Sequence, residues 1–130
     1  MKTTVILIRI ACFCILIHLL GHTAGHFSWR TPENKNILQV VNTMTEHSAP
    51  FMGANRSLAD FYDGYSLLLL VFFALTIWLL WIISNRIKTQ LSLKTMLWPF
   101  AFGYLGIAAI EFVRFFPFAA VMSLSAGLLL

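Results

Sequence analysis

Three of the four histidines in this chain, His18, His22 and His26, recur at every fourth residue within ILIHLLGHTAGHFSW, residues 15–29. On an α-helix each such step turns by about 40° and climbs about 6 Å, so the three imidazoles line one face. Imidazoles at that spacing can chelate a transition metal, hydrogen-bond a small ligand, or carry protons. The groups able to complete such a site are His47, Asp60, Asp63 and Glu111. The expected metal set is therefore His18, His22, His26 and His47 with Asp60, Asp63 and Glu111, and zinc, copper or iron are the fitting ions. Haem fits less well, because bis-imidazole ligation needs histidines from opposing helices and only His47 lies outside the first helix.

Two other readings compete. The histidines could line a polar pocket for a quinone or lipid-type ligand. Alternatively, they could form interhelical hydrogen bonds in a structural or assembly subunit of a larger membrane complex, or at a homo-oligomer interface. Asp60 and Asp63 also suit a helix's first turn, where carboxylates meet the positive end of the dipole. Glu111 and Arg114, three residues apart, are expected to pair with each other. Met44 and Met52 are copper-type ligands in principle, but their scatter reads as packing. No phosphate loop, nucleophile elbow, HExxH or dinucleotide fingerprint occurs, so the sequence assigns no enzyme class.

The elements that must position these residues are membrane spans. The 130 residues are 59% hydrophobic and 11% charged, with a mean hydropathy of +0.82. Soluble domains carry roughly a quarter charged residues, and here the apolar residues come in blocks. The net charge of +4 rests on nine Lys and Arg that flank the blocks rather than forming a stripe, which argues against a nucleic-acid partner. Cys12 and Cys14, two residues apart on a helix, point in different directions and read as small buried side chains.

Spans are expected at about 4–25, 66–84, 93–110 and 115–130, forming a single integral membrane domain, 1–130. The predicted fold is all-α, a four-transmembrane-helix bundle. Lys2 followed by Val5–Leu20 has the look of a signal peptide, but His22 stands two positions before Ala24, where an A-x-A site needs a small residue, and Arg9 breaks a lipoprotein pattern at Cys12. A retained first span is the expectation. Pro99 is expected to interrupt the third span, and EFVRFFP, 111–117, to form the turn before the fourth.

The outer segment, 26–65, holds a predicted amphipathic helix. Thr31 is its expected N-cap, with Pro32 in the first helical position and Glu33 beside it. Ile37, Val40, Val41 and Met44 form its apolar face, and Pro50 and Gly53 end the segment. Ser57 is the expected cap of the second span. Trp29, Trp78, Trp81 and Trp98 fall near expected interfaces, as do Tyr62 and Tyr65. Gly21 and Gly25, either side of His22, would let a neighbouring helix come close.

Lys2, Arg9, Arg86, Lys88 and Lys94 mark one side of the membrane with no acid among them, whereas Glu33, Glu46, Asp60, Asp63 and Glu111 mark the other. Positive-inside counting places both termini in the cytoplasm. Ala119, Ser123 and Gly127 make a small-residue ridge on the last helix that would let another helix approach closely, from this chain or another subunit.

GHTAGH at 21–26, MGANRSLADFYDGYSL at 52–67 and the four-span layout together resemble small four-span bacterial membrane proteins with a GHxxGH pattern. The arrangement is similar to that of the DoxX-like group. The residues carrying the likeness are His22, Gly25, His26, Gly53, Arg56, Ser57, Phe61, Tyr62 and Gly64. The resemblance implies a four-helix bundle in a bacterial inner membrane and a link to quinone-coupled oxidation, and it assigns no catalytic residue here.

Overall fold

The computed structural model describes residues 2–130. Five α-helices account for most of it: α1 (Lys2–Ser28), α2 (Lys35–Glu46), α3 (Leu58–Arg86), α4 (Leu97–Arg114) and α5 (Pro117–Leu129). A short antiparallel hairpin, β1 (Ser48–Phe51) and β2 (Ala54–Ser57), lies between α2 and α3, and a single 3-10 turn, Leu91–Lys94, precedes α4. Three stretches are long and apolar enough to cross a membrane: Lys2–Ser28, Leu58–Arg86 and Leu91–Arg114. The 13 residues of α5 extend about 20 Å, less than the ~30 Å of a bilayer's hydrocarbon core.

The chain forms two compact units, one from the residues up to Leu20 with Phe73–Leu130, the other from Gly21–Phe72. In the first, α1 buries Val5, Ile8, Ala11, Cys12, Ile15 and His18, steps of three and four that keep one face inward. The second half of α3 does the same with Phe73, Thr76, Leu80, Ile83 and Ser84. Leu97, Ala101, Tyr104, Ala108 and Glu111 alternate four- and three-residue steps along α4, the rhythm of a helix seam. Outward-facing residues are also apolar, Phe13, Phe102, Phe112 and Leu128 among them, so neither side of these helices is suited to water.

The small-residue ridge of α5 is spent within the chain. Ala119, Ser123 and Gly127 are buried, and a Cβ on Gly127 would stand 2.9 Å from Leu105 Cγ and 3.0 Å from the Leu105 backbone nitrogen. Gly127 thus sets how closely α5 lies on α4.

The α4–α5 connection is tighter than expected. Helix α4 continues through Arg114, leaving Phe115 and Phe116 as the link, and Pro117 opens α5, where its missing N–H costs nothing. Pro99 does not interrupt α4. It lies in that helix's first turn, ahead of any intrahelical N–H bond it could remove.

In the second unit, the N-cap of α2 is Asn34 rather than Thr31. Its Oδ1 accepts from the backbone N–H of Asn36 at 2.9 Å and of Ile37 at 3.4 Å. Asn is as good a cap as Thr, and Thr31 is drawn back toward α1, its N–H bonding Ser28 O. The hairpin is the element that sequence patterning missed. Phe51 pairs with Ala54, and Met52 and Gly53 both hold positive φ, 47° and 89°, the requirement of a two-residue type I′ turn. Ser57 caps α3 as expected, in a reciprocal box: Ser57 Oγ accepts the Asp60 N–H at 3.1 Å, and Asp60 Oδ2 accepts the Ser57 N–H at 2.9 Å.

Candidate functional site

The histidine ladder supplies two different sites. In the first unit, His18 on α1 is buried against Glu111 of α4 and Ser123 of α5. Its Nε2 lies 3.2 Å from Glu111 Oε1, and its Nδ1 lies 3.2 Å from Ser123 Oγ. The side chains of His18 and Glu111 are only 7% and 11% exposed, and the Phe73 ring covers the imidazole at 4.5 Å between centroids. Glu111 Oε2 has no hydrogen-bond partner among the described residues. Tyr104, two turns before Glu111 on α4, is buried with its hydroxyl beside Thr76.

Helical spacing explains the convergence. Ile15 and His18 follow one another on the buried face of α1, Ala108 and Glu111 on that of α4, and Ser123 lies in the middle of the α5 ridge. With Nε2–H donating to the carboxylate, Nδ1 is left to accept the Ser123 hydroxyl. If the imidazole is protonated instead, Nδ1–H donates to Ser123 Oγ, whose own hydrogen is released toward another acceptor. A serine hydroxyl both donates and accepts, so the cluster remains bonded in either protonation state.

The expected Glu111–Arg114 pair is not formed in this way: Glu111 faces inward to His18, and Arg114 is exposed. A three-residue step rotates by about 300°, and burial of one partner draws it off the exposed face of the other.

In the second unit, His22 and His26 converge on Ser66 of α3. His22 Nε2 is 3.1 Å from Ser66 Oγ and 3.3 Å from Ser66 O, and His26 Nδ1 is 2.9 Å from the same hydroxyl. A consistent reading has His22 Nε2–H donating to Ser66 and Ser66 O–H donating to His26 Nδ1. Gly25 gives no close helix approach, since a Cβ there would meet open space.

The remaining candidates are engaged locally. Asp63 accepts from Trp29 Nε1 at 2.8 Å and pairs with the Arg30 guanidinium, which itself stacks on Trp29 at 4.9 Å. Asp60 belongs to the cap with Ser57. His47, the residue after α2, has Nδ1 3.2 Å from Thr43 O in the last turn of that helix and is exposed. Among the described residues no group of three or more His, Cys, Asp or Glu side chains is gathered to hold a metal ion.

Ser66 and Ser123 are the functional side chains that sequence reasoning missed as such. Ser66 opens the apolar run of α3 and Ser123 lies within that of α5, and a small hydroxyl in such a run is the signal that could have marked each. Comparison of the chain with protein-family models, curated proteins and solved structures gives no match in any of the three.

Proposed function

We infer that this chain is a four-span integral membrane protein, with α1, α3, α4 and α5 crossing the bilayer and both termini in the cytoplasm. We infer further that it binds a quinone-type ligand by hydrogen bonds at the cluster of His18, Glu111 and Ser123. The observation that carries this reading is the His18–Glu111 pair, buried among apolar helices. Stability alone is a poor reason for such a pair, because apolar residues of similar volume serve as well or better, and ionisable groups within a span most often mark a pathway or ligand site.

The proton chemistry needs only these residues. A proton arriving at His18 Nδ1 makes the imidazolium, and release of the Nε2 proton to Glu111 Oε1 regenerates neutral imidazole beside a carboxylic acid. Charge and electrons balance with one proton in and one proton relocated. A quinone's carbonyl oxygens accept hydrogen bonds of the kind these groups donate, and its isoprenoid tail dissolves among apolar helices. α5 is accommodated as a span by local bilayer thinning over the α4–α5 hairpin.

A transition metal on the ladder is less well supported, because among the described residues no three of the candidate His, Asp and Glu side chains gather around one point. The role of an assembly subunit loses the α5 ridge as a docking face, since α4 already covers it.

The test is gentle purification from membranes, organic extraction and chromatography for quinone, alongside infrared difference spectra of the carboxyl C=O stretch. Wild type is expected to carry quinone and to show a protonated-carboxyl band that is lost in Glu111→Gln. Quinone content should fall at least tenfold in Glu111→Gln and His18→Gln with helix content unchanged. A quinone-free extract with no Glu111-dependent band would sink this reading and leave the assembly role.

A further inference from the structure

A groove of about 530 Å³ runs along the start of α3, wholly within the second unit, lined by Arg56, Asp60, Phe61, Gly64, Tyr65, Leu67, Leu68 and Val71. Its size is that of a small-ligand site. Two properties set it apart from a random dent in an apolar surface. It is polar at one end only, where Arg56 and Asp60 stand, and from Phe61 onward the lining is apolar or aromatic. It also has a floor made by a residue with no side chain.

That residue is Gly64. It sits inside a long helix, where glycine is a poor helix former, and a Cβ placed on it would meet nothing within 4 Å. No neighbouring backbone therefore requires a glycine there, and the notch is open to the outside. Asp60, Gly64, Leu67, Leu68 and Val71 follow one another at helical steps on a single face. At ~1.5 Å per residue the distance from Asp60 to Val71 is about 16 Å, which suits a headgroup followed by the upper part of an acyl chain. Tyr65, Leu67, Leu68 and Val71 are all exposed, so the apolar wall has no partner within the chain.

The polar end selects the headgroup. Arg56 is exposed and spends one N–H on its neighbour's carbonyl, Asn55 O, at 3.2 Å. The rest of the guanidinium fork is suited to a phosphate. Asp60 uses Oδ2 to accept the Ser57 N–H, and a carboxylate has further lone pairs for a second donor. A cation and an anion four residues apart, Arg56 near the end of β2 and Asp60 in the first turn of α3, match the phosphate and ammonium of a zwitterionic headgroup.

We propose that this groove binds one aminophospholipid of the phosphatidylethanolamine type. Arg56 holds its phosphate, Asp60 accepts from its ammonium, and an acyl chain lies over Gly64 along Leu67, Leu68 and Val71. The site rests on the reading of α3 as a membrane span, with residues 56–65 at the headgroup level.

Native mass spectrometry of the full chain, released from nanodiscs containing equal parts of phosphatidylethanolamine, phosphatidylcholine and phosphatidylglycerol, tests it. One retained lipid is expected, with phosphatidylethanolamine favoured at least fivefold over each of the others. Arg56→Gln and Gly64→Leu should each cut that retention at least fivefold. Gly64→Leu fills the notch with a better helix former, so its circular dichroism and melting temperature should match or exceed wild type, separating a blocked site from a misfolded chain. Equal retention of the three lipids, a preference for phosphatidylglycerol, or indifference to both variants would overturn the site. An alkaline wash of membranes separates that failure from failure of the membrane reading. Protein that stays in the pellet without phosphatidylethanolamine preference refutes the groove alone, and protein released to the supernatant refutes both.

Discussion

His18 Nε2 lies 3.2 Å from Glu111 Oε1, joining residues 93 positions apart in the sequence across the α1 and α4 helices. Removing one partner strands the other in an apolar setting, whereas removing both strands neither. His18→Leu or Glu111→Leu alone is expected to lower stability by on the order of 3 kcal/mol, and the double variant to recover most of that loss. Denaturation of the four proteins in the same detergent measures the cycle. A double variant as unstable as the sum of the singles would show that the two side chains do not act as a pair.

Gly127 and Gly103 should respond oppositely to alanine. A methyl on Gly127 meets Leu105 side chain and backbone at 2.9–3.0 Å, whereas one on Gly103 meets nothing within 4 Å. Gly127→Ala is expected to cost ~1–3 kcal/mol through overpacking. Gly103→Ala is expected to be neutral or to stabilise by up to ~1 kcal/mol through helix propensity. Melting temperatures in detergent distinguish them, and equal effects would contradict the close α4–α5 approach.

Ser66 is the common partner of His22 and His26. Ser66→Ala removes one hydroxyl and disturbs two imidazoles, so the ring nitrogen resonances of both His22 and His26 should shift while that of His47, bonded to Thr43 O, stays put. Nitrogen-15 spectra of histidine-labelled protein read this directly. The accompanying stability loss should be about 1 kcal/mol. A shift confined to one histidine would mean that the hydroxyl serves only that one.

Met52 holds φ at 47° and is 94% exposed, so its side chain contributes little contact while its backbone bears the left-handed penalty. Met52→Asn or Met52→Gly is expected to strengthen the hairpin, by up to ~1 kcal/mol locally. Gly53→Ala, at φ 89°, should weaken it. Hydrogen exchange of the Ser48–Ser57 amides should slow in the first two variants and speed up in the third.

Much of the architecture was legible from local signals. The apolar blocks and their breaks located the long helices, because a run of apolar residues bounded by polar ones determines both length and class. The reciprocal Ser57–Asp60 cap was legible for the same reason, since its two partners lie three residues apart. Where two local signals competed, the reading failed. Thr31 and Asn34 both suit an N-cap, and only the chain's return from α1 through Ser28 decides between them. Met-Gly at a hairpin turn carries a weaker signal than Asn-Gly, and Pro50 and Gly53 mark only the end of the preceding helix.

Helix periodicity and hydropathy depend on neighbours a few residues away, so a mainly helical chain, apolar in blocks, with three imidazoles along one helix, is written in local sequence. What those imidazoles meet is not. Glu111 and Ser123 reach His18 from helices some hundred residues downstream, and Ser66 reaches His22 and His26 from α3. Such partners are selected by which faces pack together and how closely small residues such as Gly127 let them approach, and no spacing within a single helix records that choice.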